Sequence, residues 1–257
     1  MIGRQMLPVD RWGRRMEWRD EGLVIGVRRH GEHSAILEAM TRAHGRHLGL
    51  VRGGRSPRLA AALQPGNSLV LVWRARLDEH LGAFAVELLS ARAGRLMESG
   101  MALAGLAWLG GLARLLPERD PHEAVYEALT LIADRLGDAK IAPALVALFE
   151  AQVLAECGFR LDFSRCAATG VSENLAYVSP RSGRAVSRAA GEPYKERLLA
   201  LPPFLLSSQA GLGEGDVGAG LDLTGHFLEQ FVFAPLNRPL PPARVWLIER
   251  LREGGRL

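Results

Sequence analysis

The chain has 257 residues, of which 48% are hydrophobic and 23% charged, and its formal net charge is +4. These values are typical of a globular protein with one or two domains, and they exclude a disordered chain or a collagen-like fibre. Two cysteines and an N-terminus without an apolar leader do not suit a small secreted domain, so we expect a cytoplasmic protein.

The first part of the chain has the texture of short strands. Residues 1–15 carry no periodic apolar pattern and are predicted to be a disordered N-terminal extension. Between the third and fourth of the strands given next, Ser56 and Pro57 suit the N-cap and first turn of a short helix, Arg58–Leu63. The predicted strands, each bounded by turn-forming residues, are Glu21–Arg28, His33–Met40, Arg46–Val51, Ser68–Arg76 and Gly82–Leu89. Five strands with a helix after the third predict an OB-type β-barrel over residues 16–93, a fold that commonly binds oligonucleotides.

From residue 94 the apolar spacing becomes helical, which predicts an α-helical domain over 94–257. The predicted helices are Met101–Leu116, one that starts at Asp120 and Pro121, Ile141–Cys157, a short one at Tyr194–Leu201, Leu223–Phe233 and Ala243–Glu253. An irregular stretch, 162–190, follows the helix Ile141–Cys157, and a mobile loop, Gly211–Gly220, precedes the helix Leu223–Phe233. The longest apolar stretch, Met101 to Ala113, is too short to cross a bilayer, so no membrane partner is expected. The predicted fold class is α+β.

Sequence signatures of catalysis are missing. The chain has no phosphate-binding G-x-x-x-x-G-K-[ST] loop and no G-x-S-x-G nucleophile turn. The glycines of 211–215 follow no strand and are interpreted as a connector. His226 and Glu229 share a helix face at a spacing that can bind a metal, but no further ligand accompanies them. We therefore expect no catalytic residues and no cofactor.

The two cysteines raise the question of structural zinc, which needs about four ligands. Around Cys166, the positions of a second, third and fourth ligand hold Thr169, Ser187 and Ala190. The stretch 162–190 is therefore predicted to be a zinc-finger-like loop that lacks the zinc ligands. Both Cys157 and Cys166 are expected to be structural or buried thiols, and no metal is expected.

Positive charge is concentrated in the first third of the chain. Residues 1–80 contain 14 Arg against 8 Asp and Glu, for a net charge of +6, whereas the remaining residues have a net charge of −2. No acidic residue lies between Glu38 and Asp78, where Trp73 is the only aromatic residue and is expected in the core. Such a field suits a polyanion, although arginine is the habitual cation of this chain and many of its side chains will simply be solvated. The candidate contacts are Arg28, Arg29, Arg42, Arg46, Arg52, Arg55, Arg58, Arg74 and Arg76.

Several segments together resemble the RecO family, the bacterial recombination mediators of DNA repair. The resemblance covers nearly the whole chain from about Met16. The matching motifs are G-E-x-S at Gly31–Ser34, T-x-x-x-G at Thr41–Gly45, V-x-G-G-R at Val51–Arg55, L-Q-P-G at Leu63–Gly66, and the stretches Leu148–Gly170 and Tyr177–Ser187. Many members of this family bind zinc through four cysteines, of which this sequence keeps only Cys166.

The resemblance implies a non-enzymatic function. Its OB domain would bind single- and double-stranded DNA and anneal complementary strands. Its partners would be the RecR protein and the acidic tail of single-strand-binding protein, so that RecA is loaded on coated DNA. Two alternatives remain at this point: an adaptor whose basic barrel docks acidic peptide tails, and an RNA-associated OB protein, since phosphate contacts do not separate RNA from DNA.

Overall fold

The computed structural model describes residues 16–207 and 209–255, so the predicted extension at residues 1–15 lies outside the described residues. Two compact units are present. The first extends to Ala93 and also contains Glu118–Tyr126, whereas the second contains Gly94–Pro117 and the chain from Glu127 onward. The domain limits 16–93 and 94–257 stay a prediction, and the sequence gives no sign that residues 118–126 pack with the first unit.

Five strands of the first unit form a closed barrel, with β1 hydrogen-bonded to both β2 and β4. The strands are β1 (Met16–His30), β2 (Ser34–Thr41), β3 (Gly45–Val51), β4 (Ser68–Ala75) and β5 (Ala83–Ser90), and the barrel order is β1-β2-β3-β5-β4. Helix α1 (Pro57–Ala62) connects β3 to β4, and Ser56 precedes it without using its hydroxyl as a cap. The predicted OB-type barrel is confirmed.

Strand β1 is much longer than predicted because it pairs with two strands, β4 and β2. Its first half pairs with β4, from Met16 opposite Ala75 to Leu23 opposite Ser68. Its second half pairs with β2, ending with His30 opposite Ser34, after a bulge between Val24 and Gly26. A bulge bends a strand, and the bend allows β1 to close the barrel.

The barrel core follows the alternation of β4. Leu69, Leu71 and Trp73 are completely buried, while Arg74 is exposed. The Trp73 indole N–H donates to the Leu81 carbonyl at 3.1 Å, so its one polar atom is satisfied. The expectation that Trp73 belongs to the core is confirmed. The core cluster comprises Val24, Ala35, Leu37, Ala39, Val51, Ala62, Leu63, Leu69, Leu71, Trp73 and Phe84.

The second unit is mainly helical. The remaining α-helices of the described residues are α2 (Ala93–Met97), α3 (Gly100–Ala113), α4 (Glu123–Arg135), α5 (Ala142–Glu156), α6 (Arg188–Gly191), α7 (Asp216–Leu228) and α8 (Pro242–Glu253). Helix α3 packs against α5 and α8, and α5 packs against α7. In the described part of the chain, no helix combines the length and the apolar character that crossing a bilayer requires.

Two predicted elements of the second unit were wrong in detail. The irregular stretch contains β6 (Leu175–Val178) and β7 (Ala185–Ser187), which form a small sheet with β8 (Leu199–Ala200). The predicted helix Tyr194–Leu201 is instead a 3₁₀ segment, Glu192–Arg197, followed by β8. Strands of two to four residues are too short to show a period of two in the sequence.

Two helices begin elsewhere than predicted. Helix α4 begins at Glu123, three residues after Asp120, because Asp120 packs against the barrel. Helix α7 begins at Asp216, inside the predicted loop, and continues as a π-helical turn, Glu229–Phe233. The buried stripe predicted for α4 is confirmed at Val125, Leu129, Ile132 and Leu136.

Candidate nucleic-acid interface

The β1–β2 turn and the β3–α1 connection lie side by side at one end of the barrel. Arg29 is opposite Ala35, which is in turn opposite Val51 on β3. The Arg55 backbone N–H donates to the His33 carbonyl at 3.1 Å, and the Arg55 guanidinium donates to the carbonyl oxygens of the turn. Five of the nine predicted arginines lie on or next to these two connections, and we call them the turn cluster: Arg28, Arg29, Arg52, Arg55 and Arg58.

The turn cluster is available to a ligand. All five residues are exposed. Within residues 16–207 and 209–255, four of the five side chains make no hydrogen bond or ion pair, namely those of Arg28, Arg29, Arg52 and Arg58. Arg55 donates to two carbonyl oxygens and has no carboxylate partner among the described residues. Guanidinium groups held this way can contact backbone phosphates without reading base sequence.

Two predicted arginines of the β2–β3 hairpin lie in another place and have acidic partners. The Arg42 Nη1 is 3.4 Å from a Glu123 carboxylate oxygen, and its guanidinium lies 5.1 Å from the centre of the Tyr126 ring. The Arg46 Nη1 is 2.9 Å from the Glu38 carboxylate. These arginines are therefore not part of the turn cluster.

The last two predicted arginines lie near the start of β1. Arg74 donates twice to the Glu17 carboxylate, at 2.8 and 3.0 Å, and this hydrogen-bonded partner holds the pKa of Glu17 below its usual value. Arg76 is exposed just beyond the end of β4. Glu17, the partner of Arg74, lies near the start of β1, whereas Arg28 lies eleven residues later, near the end of the same strand. Arg74 is therefore far from the turn cluster, and the nine arginines do not share a single surface.

Aromatic rings line the barrel near the β2–β3 hairpin, and the sequence analysis missed most of them. Trp18 stacks on His44 with ring centres 4.1 Å apart, and its ring centre lies 5.6 Å from that of Trp73. His44 is 2.9 Å from the Asp20 carboxylate. Burial raises the pKa of Asp20, but hydrogen bonds from His44 and from two backbone N–H groups outweigh this and lower it. Trp18 falls outside the acid-free segment, which explains the omission.

His47 is a buried imidazole on β3. Its side chain packs edge-on against Trp18 and Trp73, each with ring centres 4.9 Å away. Neither ring nitrogen has a hydrogen-bond partner among the described residues. Burial, followed by the positive charge of Arg119, lowers the pKa of His47 to about 4, so the ring is neutral at pH 7.

Residues 118–126 cover the barrel beside this aromatic group, and we call them the strap. The Arg119 N–H donates to the Arg46 carbonyl at 2.8 Å. The Arg119 guanidinium donates to the carbonyl oxygens of Asp78 and His80 in the β4–β5 loop and lies 5.9 Å from the centre of the Trp73 ring. A segment more than 60 residues away in sequence thus packs on β3, and no local sequence pattern indicates it.

The residues of the predicted zinc-finger-like loop do not fit zinc. Cys166 is buried, and its sulfur accepts the backbone N–H of Ser187 at 3.2 Å. Ser187 occupies one of the positions at which a zinc site would need a ligand. Burial raises the pKa of Cys166, but hydrogen bonds from Ser187, Thr169 and Ala168 lower it to about 6. Among the described residues no three His, Cys, Asp or Glu side chains form a possible metal cluster. Cys157 is exposed, contrary to expectation.

Comparisons with known proteins agree with this architecture. Residues 16–92 match the family described as Recombination protein O N terminal, and residues 97–239 match Recombination protein O C terminal. The chain is 61% identical to DNA repair protein RecO of Methylocella silvestris over 232 residues. This alignment covers 89% of the chain and 93% of the relative. The identity is 59% over 235 residues to the protein of the same name from Methylobacterium nodulans, covering 89% and 95% of the two chains.

A third relative covers even more of the chain. DNA repair protein RecO of Phenylobacterium zucineum is 51% identical over 243 residues, which is 94% of this chain and all of the relative. The two family matches together span the barrel and most of the helical unit. The chain therefore belongs to the RecO family of DNA repair proteins.

Proposed function

We propose that this RecO-family protein binds single- and double-stranded DNA at the turn cluster. The observation that carries the proposal is the group of arginines at the β1–β2 turn, four of which have no partner among the described residues. In OB folds the loop between the first two strands commonly contacts oligonucleotides. Since guanidinium groups recognise phosphate and not base identity, the binding has little dependence on DNA sequence.

The same cluster supports strand annealing without an enzyme step. Two DNA strands repel one another through their phosphates, and each phosphate contact by an arginine releases condensed counterions and reduces that repulsion. Neutralising phosphate charge in this way requires neither nucleotide hydrolysis nor a metal. The protein would therefore act as a non-enzymatic recombination mediator.

The proposed partners follow from membership of the family. We infer that the protein works with RecR, contacts the acidic tail of single-strand-binding protein, and so helps to load RecA onto coated DNA. Such a function would be performed in the cytoplasm, where the chromosome lies. The turn cluster itself is assigned only to the DNA contact.

The test is DNA binding by variants, measured as the fluorescence anisotropy of a labelled oligonucleotide. We expect R52A/R55A/R58A to bind at least tenfold more weakly than wild type while keeping its thermal unfolding temperature. R52A/R58A leaves the turn contacts of Arg55 intact and guards against local misfolding. The matched control is R135A/R238A/R252A, which removes the same charge from exposed positions of the helical unit. Wild-type affinity in the first variant would refute the assignment.

A further inference from the structure

The strap completes the barrel at a place where the barrel strands barely pair. Strand β3 is aligned with β5 only at Leu50 and Ala83, so the beginning of β3 has an edge that β5 does not cover. Glu118 forms a parallel bridge with Arg46 on that edge. The strap thus adds a short extended segment to β3, as peptides do when they bind a sheet edge.

The contact between strap and hairpin is close. Gly45 has a left-handed backbone with φ +64°, and a Cβ atom at this position would lie 1.9 Å from the Asp120 carbonyl oxygen. Only glycine therefore permits the strap to approach the β2–β3 hairpin. The β2–β3 hairpin and the β4–β5 loop, both of which the strap contacts, belong to the part of an OB fold that commonly holds oligonucleotides.

The charge of the strap resembles that of a polyanion. Three of its first six residues are acidic, namely Glu118, Asp120 and Glu123. The Glu123 carboxylate pairs with Arg42. The strap therefore places the Glu123 carboxylate against the β2–β3 hairpin, where a bound strand would place a phosphate.

Two features of the docked strap are energetically unfavourable. Arg119 has a positive φ of 67°, which is unfavourable for a residue with a side chain. Next to it, His47 is 2% exposed and both ring nitrogens lack a partner in the described chain. A buried polar group without a hydrogen bond costs free energy and calls for an explanation. Both costs occur at the contact that displacement of the strap would break.

We propose that the strap, residues 118–126, is a displaceable cover over a second site for single-stranded nucleic acid on β2 and β3. When the strap leaves, Arg42 loses the Glu123 carboxylate, and the half-buried Trp18, which stacks on His44 of the hairpin, offers a ring to a base. Cations interleaved with aromatic rings are the usual components of single-strand sites. This inference rests on the proposed DNA binding and adds to it a site that is separate from the turn cluster.

The first test weakens the strap without changing the barrel. E118Q/E123Q should bind single-stranded DNA about fivefold more tightly than a control of equal charge, because the substitutions remove the Glu123–Arg42 ion pair between strap and hairpin and a second negative charge on the strap. The control is E173Q/E196Q, whose exposed carboxylates lie in the helical unit and make no ion pair among the described residues. The loss of affinity caused by Arg42→Gln should be about threefold larger in the E118Q/E123Q background than in wild type.

The second test follows the strap directly in the full chain. The Arg119 N–H is hydrogen-bonded to β3, so its amide hydrogen should exchange faster when a saturating single-stranded oligonucleotide is bound. Unchanged or slower exchange at saturation would refute the proposal that DNA displaces the strap. Equal affinities of E118Q/E123Q and E173Q/E196Q would refute it as well. Failure of wild type to bind DNA would instead overturn the proposed function and this inference together. Normal DNA binding with either negative result overturns the inference alone.

Discussion

The guanidinium of Arg244 on α8 holds the carboxylate of Glu150 on α5 through two hydrogen bonds, Nε to Oε1 at 2.9 Å and Nη2 to Oε2 at 3.2 Å. Glu150 is completely buried, and it also accepts the Trp108 indole N–H at 2.6 Å and the Thr224 hydroxyl. One carboxylate thus joins four helices that lie far apart in the sequence.

We predict that Glu150→Ala strongly destabilises the protein. Removing one partner of a buried ion pair leaves the other charge uncompensated, which typically costs about 3–5 kcal/mol. Urea unfolding measures this cost. The exposed pair of Arg250 and Glu253, 2.7 Å apart, supplies the control, since Glu253→Ala should change stability by less than about 0.5 kcal/mol. Similar effects of the two substitutions would contradict the buried network.

Glycine at position 45 is predicted to be irreplaceable for a reason beyond its backbone angle. Gly31 and Gly45 have similar φ values, +59° and +64°, but a Cβ at Gly31 would meet nothing within 4 Å. Both alanine variants carry the backbone cost of about 1 kcal/mol, and only Gly45→Ala also collides with Asp120. We expect Gly45→Ala to be clearly the less stable of the two in thermal unfolding. Equal stability would show that the strap does not depend on this contact.

The buried His47 predicts acid sensitivity. Its folded-state pKa, about 4, lies below the ordinary value of 6.5, so protons bind the unfolded chain more readily. Its contribution to stability is therefore fully present above about pH 6.5 and is lost as the pH falls towards 4. The full loss amounts to about 3 kcal/mol. Urea unfolding between pH 7 and pH 4 measures it, and His47→Leu should show a flatter pH profile than wild type.

DNA binding at the turn cluster should depend steeply on salt. If about five arginines contact phosphates, the logarithm of the association constant for single strands should fall with a slope of about −3.5 against the logarithm of salt concentration. In R52A/R55A/R58A the slope should become shallower by about 2. Anisotropy titrations at several salt concentrations give both slopes. A flat dependence in wild type would exclude phosphate contacts as the main source of affinity.

Cys166 should stabilise its loop through hydrogen bonds and not through a metal. We expect Cys166→Ala to cost about 1–3 kcal/mol, because the buried Ser187 N–H then loses its acceptor. Cys157→Ala, at an exposed position, should be nearly neutral. A chelator should leave the unfolding temperature of wild type unchanged. A fall in that temperature on chelation, or stoichiometric zinc in the purified protein, would contradict this account.

The local pattern of the sequence determined the barrel, because its strands are long enough to alternate and its turns carry glycine. It also determined the family, through motifs spread over the barrel and the helices, and it placed the arginines of the turn cluster next to their turns. It could not show which arginines keep their charge available, since Arg42, Arg46 and Arg74 are paired by carboxylates whose positions depend on the fold.

Only the tertiary structure revealed the strap, the buried imidazole of His47 and the buried Glu150, because each depends on residues brought together from distant parts of the chain. Periodicity reports how one segment repeats along its own axis. The partner that satisfies or leaves unsatisfied a buried polar atom is decided by packing in three dimensions, and the short strands β6, β7 and β8 likewise form only because their neighbours pair with them.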